Sequence, residues 1–449
     1  MKRPMSQKLP PEGLALIFAD GAAPNPAATS ADDRRPIAFK SEAPFVRLTD
    51  ARRTALKHLS HTMLGTVRTA LREADWLTHD RVTAFTRIFL VLLIGCIAIS
   101  PWAIPGMEIG RDFAAFWTAA RLALEGRAAD AYGEPGRAAI AALFGQKNYA
   151  PFFYPPTALL FWLPFAFVPF VTAAILWIIS TGAAYAAAIR ALLKGESIVP
   201  TLAFPAVWVC ALFGQNSLFS TALFGGSAVA LDRYPLLAGA LIGCLTYKPQ
   251  IAILAPLALI VTRRWRALAA AIATTLMLVM AATVLFGVDA WLGFIRALPE
   301  ASAWNLGGAP GFEKFASVYA AIRLLGGPGG LAWLVQLTAA AIAIAILIVT
   351  LRMRPGGAAE IAILVAVTGL CVPSLGNYEM TILAVPGAWL VAQALTQGWL
   401  PYERAAIAAL FLVPFAMVPA SANGVPLGPI AVAALIILVA RRIRHFPRS

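Results

Sequence analysis

The chain carries the stretch LAWLVQLTAAAIAIAILIVTL at residues 331–351, which contains no charged side chain. An α-helix of about 20 apolar residues is long enough to cross the hydrocarbon core of a bilayer. Comparable apolar runs recur from about residue 88 to residue 440, and short Arg-rich or Gly/Pro-rich pieces separate them. The sequence therefore predicts an all-α fold, that of a polytopic membrane protein.

The composition of the chain argues against other classes of protein. The 449 residues are 60% apolar and 13% charged, and their mean hydropathy is +0.75. Typical soluble domains are about 45–50% apolar and about 25% charged. We therefore do not expect a soluble enzyme, a secreted disulfide scaffold or a free nucleic-acid binder. The four cysteines stand inside apolar runs without CxxC spacing, which is typical of packing residues.

The net charge of +14 arises from 36 basic and 22 acidic residues, and its placement gives it a meaning. Residues 1–87 hold 14 of the 36 basic residues. Basic clusters beside membrane spans mark the cytoplasmic side. This rule explains the charge without a nucleic-acid partner. The other clusters stand between or after apolar runs, at Arg263, Arg264 and Arg266, at Arg352 and Arg354, and at Arg441, Arg442 and Arg444.

Three parts are predicted along the chain: a cytoplasmic N-terminal tail over 1–87, a transmembrane domain over 88–442 and a cytoplasmic tail over 443–449. Residues 1–48 are rich in Pro, Ala, Ser and charge, so we expect disorder there. No apolar region of a cleavable signal peptide precedes the first span. Between about 50 and 75 the pattern indicates a basic amphipathic helix, which either lies on the inner membrane surface or is simply solvated.

The apolar runs give thirteen candidate spans, of which the first runs from about Ile88 to Ile104. Thirteen crossings would place the C-terminal Arg cluster outside, against the positive-inside rule. We therefore interpret 156–169 as a re-entrant or bent element, which leaves about twelve crossings with both termini inside. The other candidate spans are 156–169, 170–192, 201–213, 216–231, 235–247, 249–262, 267–286, 331–351, 359–374, 379–396, 404–420 and 426–440.

The segment 106–155 is predicted to form the first external loop. It contains an apolar stripe at helical spacing, which indicates a helix with one apolar face. That helix is too short and too charged to span, so we interpret it as an interfacial helix. A second short helix is predicted over 135–144. The stripe consists of Phe113, Phe116, Trp117, Ala120 and Leu124.

Five polar groups interrupt the apolar pattern at the predicted external ends of helices. Polar residues at membrane depth are costly, and they are therefore candidates for a functional site. Because all five are predicted on one face of the membrane, we expect them to converge. The groups are Gly110-Arg111-Asp112-Phe113, Tyr154-Pro155-Pro156, Gly214-Gln215-Asn216, Lys248-Pro249-Gln250 and Asn377-Tyr378-Glu379.

The two charged residues that stand out most in these groups have competing interpretations. Asp112 precedes a predicted helix, so its carboxylate either caps that helix or acts as a catalytic base, and it can do both. Lys248 lies within an apolar stretch before a proline. It either reaches to the membrane interface, pairs with a carboxylate or holds an anionic phosphate, and we favour the phosphate.

The remaining polar residues have structural alternatives as well. Glu379 begins an apolar span and is a possible cap. Gln215 and Asn216 either serve the site or merely join two short helices. Tyr154 and the two prolines after it fix an extended approach to a helix start. No cluster with metal-ligand spacing, P-loop or dinucleotide fingerprint is visible in the sequence, and we expect neither a metal nor a cofactor.

The ordered motifs resemble glycosyltransferase family 87, a family of polytopic C-type glycosyltransferases related to polyprenyl-phosphate-mannose-dependent α-mannosyltransferases. The resemblance extends over about residues 85–400. It rests on Gly110-Arg111-Asp112-Phe113 through Trp117, Tyr132, Phe153-Tyr154-Pro155-Pro156, Gly214-Gln215-Asn216, the run from Ala238-Gly239 to Lys248-Pro249-Gln250, and Arg263-Arg264-Trp265-Arg266.

The resemblance implies an inverting hexosyltransferase that needs no metal and uses a polyprenyl-phosphate-linked sugar, with mannose as the default. The acceptor is a lipid or glycan, and transfer takes place on the external, periplasmic face of the plasma (inner) membrane. The family's external-loop aspartate, the base for the acceptor hydroxyl, maps onto Asp112. A departing phosphate needs cationic support, for which Lys248 is the first candidate and Arg111 or Arg121 the alternatives.

Contacts with sugar or acceptor hydroxyls are expected from the other polar residues of the groups. These residues are Tyr154, Gln215, Asn216, Gln250, Asn377, Tyr378 and Glu379. A transporter or lipid flippase is the alternative function, with the same side chains lining a pathway. Transporters typically contain internal repeats. The two halves of this sequence show no convincing repeat, which favours the enzyme.

Overall fold

The computed structural model describes residues 63, 65–103, 110–144 and 151–446. The predicted disorder over 1–48 and the start of the predicted amphipathic helix lie outside these residues. Within the described residues the fold is all-helical, without a β-strand, as predicted. The first half of the chain contains α1 His79–Ala103, α2 Phe113–Leu124, α3 Glu134–Phe144, α4 Leu159–Trp162, α5 Phe170–Leu192, α6 Val199–Leu202, α7 Pro205–Phe213, α8 Ser217–Ala230 and α9 Pro235–Cys244.

Short 3₁₀ helices join several of these elements, at Ala128–Tyr132, Pro156–Ala158, Leu163–Phe167, Leu245–Tyr247, Phe312–Lys314 and Asn377–Leu383. The second half of the chain contains α10 Pro249–Ala252, α11 Ala255–Val261, α12 Trp265–Leu306, α13 Val318–Leu324, α14 Gly329–Leu351, α15 Gly357–Cys371, α16 Ala384–Gln397, α17 Glu403–Ala422 and α18 Leu427–His445.

Six helices of the described part are long and apolar enough to cross a membrane. The chain is therefore a multi-pass membrane protein. Six further apolar helices of this part have between 10 and 17 residues, and α18 has 19 residues with basic side chains in its last turn, so the number of twelve crossings stays a prediction. The six helices are His79–Ile99, Phe170–Leu192, Trp265–Leu306, Gly329–Leu351, Asn377–Gln397 and Glu403–Ala422.

The helix α12 differs most from its predicted span, which ended at residue 286. It is 42 residues long and contains a break at Gly287, where φ is +76°. Such a left-handed conformation favours glycine because it carries no Cβ. The part before the break, residues 265–286, has 22 residues and a length of about 33 Å, enough for one crossing. The helix then continues to Leu306 in a new direction.

The segment Pro156–Phe167 is a chain of three short helical turns rather than a regular span. At about 1.5 Å per residue its 12 residues measure about 18 Å, well under the hydrocarbon thickness. The hydroxyl of Thr157 donates to the carbonyl of Thr246 at 3.3 Å, which ties the segment to the end of α9. These observations favour the re-entrant interpretation over a full crossing.

The segment predicted as the first external loop contains the two predicted helices, but α2 is largely buried and does not lie with one face in solvent. Eight of its 12 residues are buried, among them Phe113, Ala114, Ala115 and Phe116. The apolar stripe predicted less burial than this, because buried alanines also cover the other faces of the helix. The helix α2 therefore packs inside the protein, and this fixes the position of the residues just before it.

Helices α9 and α12 lie unusually close to each other. A Cβ on Gly239 would overlap the carbonyl oxygen of Ala267, and one on Gly243 would lie 2.7 Å from that of Ala271. Small residues spaced four apart allow membrane helices to approach to backbone contact. This contact holds the end of α9, and hence Lys248 just beyond it, in place.

Two ion-pair networks lie at the end of the bundle that carries the Arg clusters. Arg264 binds Glu360 at 2.9 Å and Asp232 at 2.5 Å, which joins the starts of α12 and α15 to the end of α8. Arg442 is fully buried against Glu403 and joins α18 to the start of α17. The polar groups of the candidate site lie at the opposite ends of these helices.

Candidate active site

The loop before α2 is bound to the end of α7 through its backbone. The amide of Gly110 donates to the carbonyl of Leu212 at 2.8 Å, and the amide of Asp112 donates to that of Phe213 at 3.0 Å. Gly214 ends α7 with a φ of +68°, and a Cβ there would lie 2.7 Å from that of Phe113. This close approach places Asp112 beside the junction of α7 and α8.

The carboxylate of Asp112 faces the site rather than its own helix. It forms no capping hydrogen bond with α2, so the interpretation as a side-chain cap is wrong. Instead it accepts a hydrogen bond from Nε2 of Gln215 at 2.7 Å, and Nε of Arg111 lies 3.7 Å from Oδ1. The side chain is 13% exposed, which leaves the oxygens within reach of a ligand.

Burial raises the pKa of Asp112 above its ordinary value, because a charged carboxylate loses its hydration. The hydrogen bond from Gln215 and the positive charge of Arg111 lower this pKa, and the charge of Lys314 lowers it further without cancelling the effect of burial. A carboxylate with a raised pKa is a stronger base than one in water. The group is therefore suited to take a proton from a hydroxyl.

The ammonium of Lys248 is 2% exposed and forms an ion pair with Glu379. It also donates to Oδ1 of Asn216 at 3.0 Å, and it lies 5.8 Å and 6.0 Å from the ring centres of Tyr154 and Tyr378. The alternative in which Lys248 reaches to the membrane interface is wrong, because the side chain is buried. The pairing with a carboxylate is confirmed, so the charge of Lys248 is compensated within the protein.

Glu379 has two partners, and through one of them it caps the start of a helix, as the sequence suggested. Its Oε2 accepts a hydrogen bond from the backbone amide of Gly376 at 2.6 Å, at the start of the 3₁₀ helix Asn377–Leu383. Its Oε1 pairs with Lys248. Glu379 therefore connects the segment after α15 with the segment after α9.

Three consecutive residues at the start of α8 carry buried polar atoms that have no hydrogen-bond partner within the described part of the chain. They are Oε1 of Gln215, Nδ2 of Asn216 and Oγ of Ser217. Buried polar groups are nearly always bonded, so three neighbouring exceptions call for an explanation. The same Gln215 and Asn216 bind Asp112 and Lys248 through their other atoms. Gln215 and Asn216 thus each bond one charged side chain and carry a second polar atom without a partner, which the hydroxyls of a ligand would satisfy.

Aromatic rings form one wall of the site. Tyr154 packs edge-on against Phe116 and Trp162, with ring centres 5.1 Å and 5.3 Å away, and the latter two rings stack at 4.2 Å. The hydroxyl of Tyr132 donates to the carbonyl of Tyr154 at 2.8 Å, which fixes the approach to the following prolines. Phe116 and Trp162 are buried, so Tyr154, which is half-buried, is the ring of this cluster that a sugar could contact.

The structure brings together at least one member of each of the five polar groups, but it does not bring every predicted residue into the site. Arg121 donates to the carbonyl of Ala166 at 3.2 Å and lies two and a half turns along α2 from Asp112. Gln250 is exposed and lines an apolar groove of about 600 Å³ between α12 and the segments before it. Oδ1 of Asn377 accepts from the amide of Tyr378 at 2.9 Å.

The sequence analysis missed Lys314, whose charge acts on Asp112. It lies at the end of the 3₁₀ helix Phe312–Lys314, in a Gly-rich connection without periodicity. One signal was available, since Lys314 is the only lysine after Lys248 in the whole chain. Tyr247 and Ser220 were missed as well, and their hydroxyls bond at 2.5 Å beside Asn216. Among the described residues, no group of three His, Cys, Asp or Glu side chains is placed to hold a metal ion.

The fold and site define a multi-pass membrane protein with a polar, charge-bearing site at one end of its helices. The model of glycosyltransferase family 87 matches residues 152–374, and the chain belongs to this family. It is therefore a membrane glycosyltransferase, which acts on a sugar donor and an acceptor. No curated protein and no solved structure matches the chain. The matched region includes Tyr154, Gln215, Asn216 and Lys248, whereas Asp112 precedes it.

Proposed function

We propose that the protein transfers a hexose, with mannose as the default, from a polyprenyl-phosphate-linked donor to a lipid or glycan acceptor on the external face of the plasma membrane. The observation that carries this proposal is the Asp112 carboxylate, which is partly exposed, free of capping bonds and bonded to Gln215. A raised pKa suits this carboxylate to accept the proton of an acceptor hydroxyl.

The proposed reaction is a single displacement with inversion. The acceptor oxygen forms a bond to the anomeric carbon while its proton passes to Asp112. The bond between the anomeric carbon and the phosphate oxygen breaks, and its electron pair leaves with the polyprenyl phosphate. One carboxylate suffices for this step, in contrast to the paired carboxylates of glycoside hydrolases.

The sugar is proposed to lie between Asp112 and the pair of Lys248 and Glu379. There the free atoms of Gln215 and Asn216 would bond its hydroxyls, and Tyr154 and Tyr378 would flank its ring. Because Lys248 is paired, we assign it to hold Asn216 in position. Of the three cations predicted for the phosphate, Arg111 remains, since it is 30% exposed and adjacent to Asp112.

The orientation follows from the two ends of the helices. The Arg clusters lie at one end, with Arg264 and Arg442 in ion pairs, and the site lies at the other. If the basic end faces the cytoplasm, the site faces outward. Twelve crossings, with 156–167 re-entrant, are consistent with this arrangement and form part of the proposal.

The test is transfer of radiolabelled mannose from polyprenyl-phosphate-mannose to membrane lipids, with wild type compared with Asp112→Asn. The matched control is Asp130→Asn, which changes an exposed aspartate of the same loop paired with Arg127. We expect Asp112→Asn to lose at least about 100-fold in rate, the lower range for general-base catalysis, and the control to retain its rate.

Preserved turnover by Asp112→Asn at normal expression would contradict the role of Asp112 as base. A second arm repeats the assay with glucose and arabinose donors. If wild type transfers none of the three sugars, the lipid-phosphate donor is refuted and a transporter or flippase becomes the better interpretation.

A further inference from the structure

The charges around the candidate site point to an anion-binding position that does not involve Lys248. A lipid-linked donor brings a negative phosphate, and its departure increases the negative charge at that position. Accessible positive groups stabilise such charge best. The ammonium of Lys248 already has Glu379 as its partner and is 2% exposed. It is therefore not free to receive a second anion.

Lys314 has the properties that Lys248 lacks. Its side chain is exposed, and it forms no hydrogen bond or ion pair within the described residues. The neighbouring carboxylate of Glu313 folds back over Gly311, where an added Cβ would touch its oxygens. Lys314 is therefore an accessible cation whose side chain has no direct ion-pair partner among the described residues.

The backbone fixes Lys314 to the wall of the site. Phe315 forms an isolated antiparallel bridge with Gly376, and the amide of Ala316 donates to the carbonyl of Leu375 at 2.7 Å. The amide of Gly376 is in turn bound by Glu379. Lys314 thus precedes by one residue a segment that is anchored to the partner of Lys248. The charge of Lys314 also lowers the pKa of Asp112, although more weakly than Gln215 and Arg111 do.

Arg111, the residue before Asp112, forms an ion pair with its carboxylate. Its guanidinium lies 3.7 Å from the carboxylate and 5.4 Å from the ring centre of Phe213, and 30% of the side chain is exposed. Lys314 and Arg111 are therefore two accessible cations that belong to separate segments and act on the same carboxylate. An anion near both would also lie close to the reacting centre.

We propose that the ammonium of Lys314, together with the guanidinium of Arg111, forms the binding site for the phosphate of the lipid-linked donor. This inference rests on the proposed function and deepens it, because it names the residues that receive the leaving group. Lys248 then serves the sugar side of the site through Asn216, and Lys314 serves the phosphate side.

The arrangement has a consequence for the base. A bound phosphate compensates the positive charge of Lys314, which otherwise lowers the pKa of Asp112. Donor binding therefore raises the pKa of Asp112 and strengthens it as a base when a substrate is present. Tyr154 and Tyr378 also interact with the charge of Asp112, but as neutral phenols they do not replace this effect.

The experiment measures binding of polyprenyl phosphate, the expected product, and of the uncharged polyprenol to the purified full-length protein in detergent. The variants are Lys314→Gln and the charge-preserving Lys314→Arg, with Lys194→Gln as the control at an exposed lysine in the turn after α5. We expect Lys314→Gln to weaken binding of the phosphate about tenfold, as for one lost charge-assisted contact, and to leave binding of polyprenol unchanged. Lys314→Arg and Lys194→Gln should bind both lipids like wild type.

A second readout separates this role from a structural one. In the transfer assay, Lys314→Gln should move the acidic limb of the pH–rate profile to higher pH, because the pKa of Asp112 rises when the positive charge is lost. If wild type binds polyprenyl phosphate and Lys314→Gln binds it equally well, the inference is refuted while the proposed function stands. If wild type does not bind polyprenyl phosphate at all, the proposed donor is refuted and the inference with it.

Discussion

The buried pair of Lys248 and Glu379 gives a sharp test of the site's construction. Both side chains are almost inaccessible, at 2% and 8% exposure. Replacing Lys248 by Met keeps the length of the side chain but leaves the carboxylate of Glu379 buried without its counter-charge. Removing one partner of a buried pair typically costs about 3–5 kcal/mol, since the remaining charge has lost its hydration as well.

Structure-specific contributions adjust this magnitude. The substitution also removes the hydrogen bond from Lys248 to Asn216, whose length is 3.0 Å, and such bonds to charged groups contribute about 1.5–3 kcal/mol. Glu379 keeps the bond from the amide of Gly376, which limits the loss. We therefore expect Lys248→Met to lower the free energy of unfolding by about 3–5 kcal/mol in all. At about 2 °C per kcal/mol, the lower end for larger domains, this lowers Tm by about 6–10 °C.

The decisive comparison is the double variant Lys248→Met with Glu379→Gln. The glutamine retains an acceptor for the amide of Gly376 but carries no charge, so the main penalty of the single variant is removed. Thermal unfolding in detergent, followed by the loss of monodisperse protein, gives the three Tm values. Recovery of at least half of the lost Tm is expected in the double variant. A single variant as stable as wild type, or a double variant no better than the single, would refute the buried ion pair as described.

Two further predictions concern the packing and the base. Gly239→Ala should lower the free energy of unfolding by about 1–3 kcal/mol, because the new methyl group overlaps the carbonyl of Ala267. Its control, Gly182→Ala in α5, has open space and should be neutral or up to about 1 kcal/mol more stable. Equal thermal stability of the two variants would refute the close contact of α9 with α12. Gln215→Met removes a hydrogen bond that lowers the pKa of Asp112. The acidic limb of the pH–rate profile should therefore move to higher pH, while the alkaline limb stays. An unchanged acidic limb would show that this bond does not govern the pKa of the base.

The sequence predicted the location of the site because its polar residues interrupt otherwise apolar helices at their ends. That signal is local, and it brought Asp112, Asn216, Lys248 and Glu379 into one hypothesis. The pairing among them is not local. The choice of Glu379 as the partner of Lys248 depends on how the segments after α9 and α15 meet, and the spacing along the chain contains no record of that contact.

Errors in the remaining assignments have equally physical causes. Arg121 was an alternative contact for the phosphate, yet it lies nine residues along the chain from Asp112 and donates to the carbonyl of Ala166. Lys314 was missed because a Gly-rich connection has no periodicity that would reveal its fold. The predicted span 267–286 ended directly before the break at Gly287, but the helical continuation to Leu306 was not predicted.

The contacts give Lys248 and Lys314 separate roles. Gln215 and Asn216 are neighbours in the chain, and one holds the base while the other holds the buried pair. A displacement of Lys248 therefore affects its direct partner Asn216, which is the chain neighbour of the Asp112 partner Gln215. Lys314, in contrast, acts on Asp112 through its charge alone. Substitutions at Lys248 should for this reason lower stability and sugar binding together, whereas those at Lys314 should change phosphate binding and the pH profile without unfolding the protein. A loss of Tm in Lys314→Gln comparable to that in Lys248→Met would mean that the two lysines do not have the separate roles argued for them.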